Sequence, residues 1–349
     1  MLMKNKVAQA VIIASLSSQG FALDLGEFNG TQFKIGGYLK AEGVFNNPDT
    51  SNSTFEGSAS QSRLNVTTSR KEGDHNLTGF VEGDFRGDKD VFRLRHATIT
   101  VDNLTVGQTW TGQFFANAPF DTEMINFYGT GIGTVSGNGA VVRPGLVAHY
   151  AKDGVRLTLQ DPIYNEAHHP DMVAGYTHRT ADGHAFNVAV TGRDVDLGNG
   201  DSEFGAALSL AAKLKFGDTS VSLSGFSGKG AAVYAGWGYN GSAGAATSEV
   251  DAQGDLITLT GFSAGVGHKL SDKLRMNLRY GQVTSDEVSS AVADDTLKLT
   301  TANIIYTYLP GLDIGVELRD QNIANRPASS DTTTRPAGQQ VEVMAMYSF

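Results

Sequence analysis

Hydrophobic and polar residues alternate along this chain in runs of roughly ten residues separated by turn-forming residues, the signature of strands with one apolar face. In Phe33–Phe45, the positions Phe33, Ile35, Gly37, Leu39, Ala41 and Phe45 share a face opposite Lys34, Tyr38, Lys40 and Glu42. In Leu274–Tyr280, Leu274, Met276, Leu278 and Tyr280 oppose Arg275, Asn277 and Arg279. In Leu312–Gln321, Leu312, Ile314, Val316 and Leu318 oppose Asp313, Glu317, Arg319 and Gln321. The final run sets Val341, Val343, Ala345, Tyr347 and Phe349 against Glu342, Met344, Met346 and Ser348, and stops on a bare aromatic residue.

The breaks between runs are of two kinds. Seven short turns fall at 70–74, 102–103, 152–154, 180–183, 216–218, 271–272 and 309–311. They alternate with eight other connections at 46–61, 87–89, 113–143, 162–170, 194–202, 229–254, 284–295 and 324–337, all long except 87–89. Fifteen connections separate sixteen strands. An even number returns both termini to one side, with short turns there and long loops opposite, as in transmembrane barrels. A soluble sandwich has no reason to lengthen nearly every second connection. The pattern therefore predicts an all-β fold, a 16-stranded antiparallel transmembrane β-barrel. A basic side chain facing hydrocarbon near the midplane would cost ~2–4 kcal/mol, so the charged faces should line water and the apolar faces should meet lipid.

The two ends of the chain extend this reading. Lys4 and Lys6 precede the short apolar stretch Val7–Leu16, and Gly20-Phe21-Ala22 offers small residues around a cleavage site. Residues 1–22 thus read as a signal peptide, and residues 23–349 as a single barrel domain. The apolar stretch falls well short of the ~20 residues of a spanning helix. At the other end, Tyr347 and Phe349 read as the assembly signal of a closing strand, to be recognised by the barrel-assembly machinery.

Composition narrows the chemistry. There are no cysteines, which excludes disulfides, zinc–thiolate sites and cysteine nucleophiles. The formal net charge of −10 argues against nucleic acid as a partner. Glycine is abundant, 42 of 349 residues, which suits tight turns and crowded barrel walls. His168 and His169 with Glu166 and Asp171 could bind a metal, but they share one polar outer loop without fixed spacing, and a solvated loop is the better reading. Ser, His and Asp residues are scattered without a nucleophile motif, so no catalytic residues, metal or cofactor are expected, and the chain does not read as an enzyme.

The stretch Phe92–Trp110, which contains FRLRHA and VGQTW, is a strand, a two-residue turn and the fifth strand, followed at once by the long 113–143 connection. Loops of such length are usually functional. Arg93 and Arg95 lie two apart, opposite Phe92 and Leu94, and should project into the lumen. Ala97, Ile99 and Val101 share their parity yet are apolar, so the strand is expected to change face after Arg95. Lys34, Lys40, Arg63, Arg86 and Arg156 look inward on nearby strands, and the third outer connection, 113–143, carries Asp121 and Glu123. Rings of Arg and Lys favour anions, and guanidinium matches carboxylates bidentately. Alternatively, these groups pair with Glu42, Glu82 and Asp84 and leave little selectivity.

In this stretch the chain resembles the outer-membrane general porins, and most of all the DcaP-like trimeric porins, with the likeness extending over the barrel as a whole. The resemblance implies a homotrimer in outer-membrane lipid, a third outer loop folded into the lumen, and passive diffusion of small polar or anionic solutes such as dicarboxylates. It also implies a coiled-coil extension, which is not expected here because the first strand follows the signal peptide closely. Two other readings remain open: a substrate-specific barrel channel, and a barrel adhesin working through Lys229–Gly254 with Tyr234, Trp237 and Tyr239.

Overall fold

The computed structural model describes residues 22–49, 51–86, 91–113, 118–125, 143–163, 167–234, 249–251, 253–289, 292–324 and 337–349. The signal-peptide reading, Glu166, Trp237 and Tyr239 lie outside the described residues. Eighteen strands form one antiparallel sheet. They are β1 (Leu23–Phe28), β2 (Thr31–Pro48), β3 (Thr54–Ser58), β4 (Arg63–Glu72), β5 (His75–Asp84), β6 (Arg93–Val101), β7 (Leu104–Gln108), β8 (Val147–Lys152) and β9 (Val155–Gln160). The second half comprises β10 (Asp171–Arg179), β11 (Ala185–Asp196), β12 (Ser202–Phe216), β13 (Thr219–Lys229), β14 (Thr258–Lys269), β15 (Leu274–Ser289), β16 (Val292–Leu309), β17 (Leu312–Ala324) and β18 (Gly338–Ser348).

These strands occupy sixteen positions around a closed barrel. β3 and β4 both pair with β2 on the same edge and are one staved strand, interrupted near Gln61. β18 pairs with Tyr38–Pro48 of β2, and β1 pairs with Thr31–Ile35 on that same edge, so the two chain ends share one position. The seam is stitched where Phe349 and Gly37 exchange backbone hydrogen bonds of 3.1 Å in both directions. Gly37 has φ 149° there, and a Cβ would run into the Arg63 carbonyl.

β1 was not expected from the hydropathy pattern, yet its signal was present. Asn29-Gly30 is the strongest short hairpin dipeptide, and both residues adopt positive φ, 51° and 74°. A second difference lies at the loop end, where β15 and β16 continue pairing through Ser289↔Val292 across most of the expected 284–295 loop. Closing the backbone ladder in this way saves polar groups that would otherwise need water.

The outward face is apolar. Leu39, Leu64, Val81, Leu94, Ile99, Leu157, Val190, Leu210, Leu278, Ile304, Leu318 and Val343 are all exposed on it. Exposed aromatics flank this belt: Tyr150, Phe186, Phe216, Tyr306, Tyr308 and Tyr347 near the short turns, and Phe45, Phe55, Phe85, Phe92 and Phe204 near the loops. An apolar band between two aromatic girdles is the surface of a bilayer-spanning barrel. The inward face is polar, with Lys40, Arg63, Glu82, Arg95, Asn277, Arg279, Asn303, Glu317 and Glu342 buried. Among the described residues no helix is long and apolar enough to cross a membrane.

Candidate pore constriction

The parity conflict in β6 is resolved by a bulge. The β5–β6 register shifts between Glu82 and Gly83, which pair with His96 and Leu94, leaving Arg95 as the extra residue. Arg95 and His96 both become buried inward, and beyond the bulge Ile99 and Val101 turn outward as Thr98 turns in. One inserted residue thus lets an inward arginine and an outward aliphatic share parity.

The basic wall is built around two carboxylates. Arg93 grips Asp84 bidentately at 3.0 and 2.9 Å, and Arg95 reaches Asp84 at 2.7 Å and Glu82 at 3.2 Å. Arg63 lies 3.5 Å from Glu82. The Trp110 ring is flanked by the guanidiniums of Arg95, 5.4 Å from its centre, and Arg143, at 4.8 Å. Four arginines therefore converge on Glu82, Asp84 and one indole.

The Ala118–Ile125 part of the third outer connection lies inside the barrel and is fixed to strands across the lumen. Ile125 NH donates to Glu317 Oε2 at 2.7 Å, and its carbonyl accepts from Lys40 Nζ at 2.9 Å. Asp121 accepts from Arg279 at 2.9 Å, and Glu123 is held bidentately by Arg275 at 2.8 Å on both arms. Lys213 Nζ donates to the Asp121 carbonyl at 2.8 Å. The far wall makes room: a Cβ on Gly315 would lie 2.5 Å from Ile125 Cδ1, and one on Gly265 would overlap Thr122.

Several expected lining residues take other places. Lys40 does not face an open lumen; it is 1% exposed, with Glu42 at 2.8 Å, Glu342 at 3.0 Å and the Gln61 carbonyl oxygen at 2.8 Å around its ammonium group. It anchors the third connection by donating to the Ile125 carbonyl. Asp121 and Glu123 are ion-paired to Arg279 and Arg275 rather than set alone against the basic wall. Arg86 is exposed at the loop rim, and Lys34 is exposed near the short turns on the parity of Gly36, Tyr38 and Lys40. Arg156 is half-buried, with its neighbour Thr158 buried on the same parity. Of the four loop residues considered for a metal, Asp171 opens β10 and points inward to Arg193, whereas His168 and His169 are exposed beside Asp194. No metal-binding group is found among the described residues.

The 229–254 connection departs most from expectation. Tyr234, offered as part of an outward adhesive surface, is wholly buried inside the barrel. Ala231, Ala232, Val233 and Tyr234 cover an apolar patch of inner wall made by Ala207, Phe226, Leu259, Val283 and Leu299. Burying each of the larger four is worth about 1.5–3 kcal/mol, which explains why the chain turns inward here. The overlooked signal was apolar residues on the lumen parity of four successive strands near their loop ends. Arg143, Arg193, Arg275, Arg279 and Glu317 were likewise not singled out, since only the folded loops show what they hold.

No protein-family model and no curated protein matches the chain. Solved structures do. The outer membrane channel DcaP of Acinetobacter baumannii superposes with a TM-score of 0.75 at 20% identity, over 93% of this chain and 99% of that one. The anion-selective porin from Comamonas acidovorans gives 0.66 at 13% identity, over 91% and 100%. OmpT, an outer membrane protein of Vibrio cholerae, in its trimer form gives 0.61 at 14% identity, over 92% and 100%. With its apolar belt, two aromatic girdles, polar interior and sixteen strand positions, the protein is a β-barrel of the bacterial outer membrane with the fold of a DcaP-like porin.

Proposed function

We propose that the protein is a trimeric porin that passes small hydrophilic solutes by passive diffusion, with mild preference for anions and carboxylates. The observation that carries this reading is the gathering of Arg63, Arg93 and Arg95 around Glu82 and Asp84, with Arg143 across the Trp110 ring from Arg95, in a lumen narrowed by Ala118–Ile125. Arginines lining a narrow, partly desolvated passage attract anions, and guanidinium forks suit carboxylates in particular. The named likenesses to an anion-selective porin and to a trimer agree with this reading. Trimer contacts would fall on the apolar outer faces of the first strands and the last. Dicarboxylates fit an arginine cluster that can hold two carboxylate groups at once. The narrowing of the lumen by two inward connections favours, as a second reading, a channel tuned to one substrate.

Single-channel recording in planar bilayers, with reversal potentials in a salt gradient, tests the proposal. Steady open-channel current with a reversal potential on the anion side supports it. An inserted protein that passes no current refutes it, and a cation-side potential refutes the anion preference.

A further inference from the structure

The Ala231–Tyr234 segment is held by a cluster that plays no part in the constriction described above. Glu249 accepts from the backbone NH of Ala232 at 2.7 Å and of Val233 at 2.9 Å. Arg193 Nη1 donates to Glu249 at 2.9 Å, and Nη2 donates to the Ile163 carbonyl at 2.8 Å. Asp171 lies 3.4 Å from Arg193 Nε and accepts from the Tyr234 hydroxyl, which in turn accepts from Gln160 Nε2 at 2.6 Å. The Arg193 guanidinium sits over the Tyr234 ring, 5.4 Å from its centre. Every member is almost fully excluded from water. Buried charges are tolerated only when paired and bonded, and such a network has few alternative geometries.

Resting on the porin reading, we propose that Ala231–Tyr234 forms a second constriction near the loop-end mouth, set in series with the arginine wall and acting as a size filter. Glu249 and Arg193 are its positioning residues. The polar groups of the segment bond Glu249 and Asp171, and its apolar side chains pack on the wall. By adding a layer to the inner wall the segment narrows the lumen at this height, so it acts on solute size.

The chain lacks cysteine, so Ala232→Cys gives a single thiol that reports on the segment. In the otherwise native barrel this thiol is expected to resist a bulky maleimide. Adding Glu249→Ala, which alters no strand, should raise the labelling rate on the order of 10-fold by opening the segment locally. Glu249→Ala alone should raise single-channel conductance on the order of 1.5-fold and admit larger neutral sugars in liposome swelling, and, since it removes one negative charge, should move the reversal potential toward anions if at all. Glu203→Ala, at the exposed Lys229–Glu203 rim pair, should change neither. Unchanged labelling overturns the role of Glu249. Faster labelling with unchanged conductance and sugar cut-off overturns the constriction. An inserted native protein without current defeats the porin reading itself, whereas current that is merely insensitive to Glu249→Ala defeats this inference alone.

Discussion

Replacing Arg93 and Arg95 together by Ala should move the reversal potential toward cations. The structure sets the size of the effect. Arg93 and Arg95 stand beside Asp84 and Glu82, so the double variant takes two unit positive charges from the wall of the passage. A unit charge about 8 Å from a passing ion contributes roughly 0.5 kcal/mol at the dielectric of water and roughly 2 kcal/mol at an effective dielectric of 20. Screening at 0.1 M salt, with a Debye length of about 10 Å, halves the lower figure. Two charges then change the ion's energy by at least about 0.5 kcal/mol, a two-fold or larger fall in the anion-to-cation permeability ratio. In 1 M salt, where the Debye length is about 3 Å, most of the shift should vanish. The opposite perturbation, Glu82→Gln with Asp84→Asn, removes the two anions and should raise anion preference by a similar factor. Both variants are to be recorded as inserted, heat-modifiable barrels. If both keep the native reversal potential at 0.1 M salt, the arginine cluster does not set the ion preference and the reasoning fails.

Other perturbations follow from the contacts of the third connection and the seam. Glu123→Ala with Asp121→Ala removes the ion pairs to Arg275 and Arg279, and should raise conductance without unfolding the barrel; equal conductance would place the connection outside the ion path. Gly315→Leu would drive a side chain into Ile125 and is expected to alter conductance while leaving heat modifiability intact. Lys40→Met takes the ammonium from between Glu42 and Glu342, and breaking such a buried pair costs about 3–5 kcal/mol, so the barrel should unfold at lower temperature in the gel-shift assay. Deleting Phe349 removes the reciprocal bonds to Gly37 that close the seam, and should leave protease-sensitive protein outside the membrane; normal insertion would argue against its role in assembly.

Most of the barrel was legible in the sequence because its cause is local. Lipid on one side and water on the other impose a two-residue period, so Leu39 and Lys40, or Leu278 and Arg279, declare their faces without reference to any partner. Turn chemistry is equally local, and the Asn29-Gly30 hairpin was overlooked although its signal was written in two residues. The alternation of short and long connections sufficed to count sixteen positions, including the shared position of the chain ends once β1 is placed beside β18.

The interior answered to distances that no local pattern contains. Arg93 and Arg95 were readable as inward, but their hold on Asp84 and Glu82 required the register of β5 against β6 and its bulge. Asp121 and Glu123 were readable as loop acids, whereas Arg279 and Arg275, their partners, stand more than 150 residues away in sequence. Tyr234 looked like an exposed loop aromatic, and only closure of the barrel creates the apolar wall of Phe226, Leu259, Val283 and Leu299 that draws it in. The sequence by itself determined which face of each strand meets lipid, because that choice is made residue by residue against a uniform solvent. The tertiary structure alone decided what crosses the lumen and which charges remain in excess there, because those depend on side chains brought together only when the sheet closes.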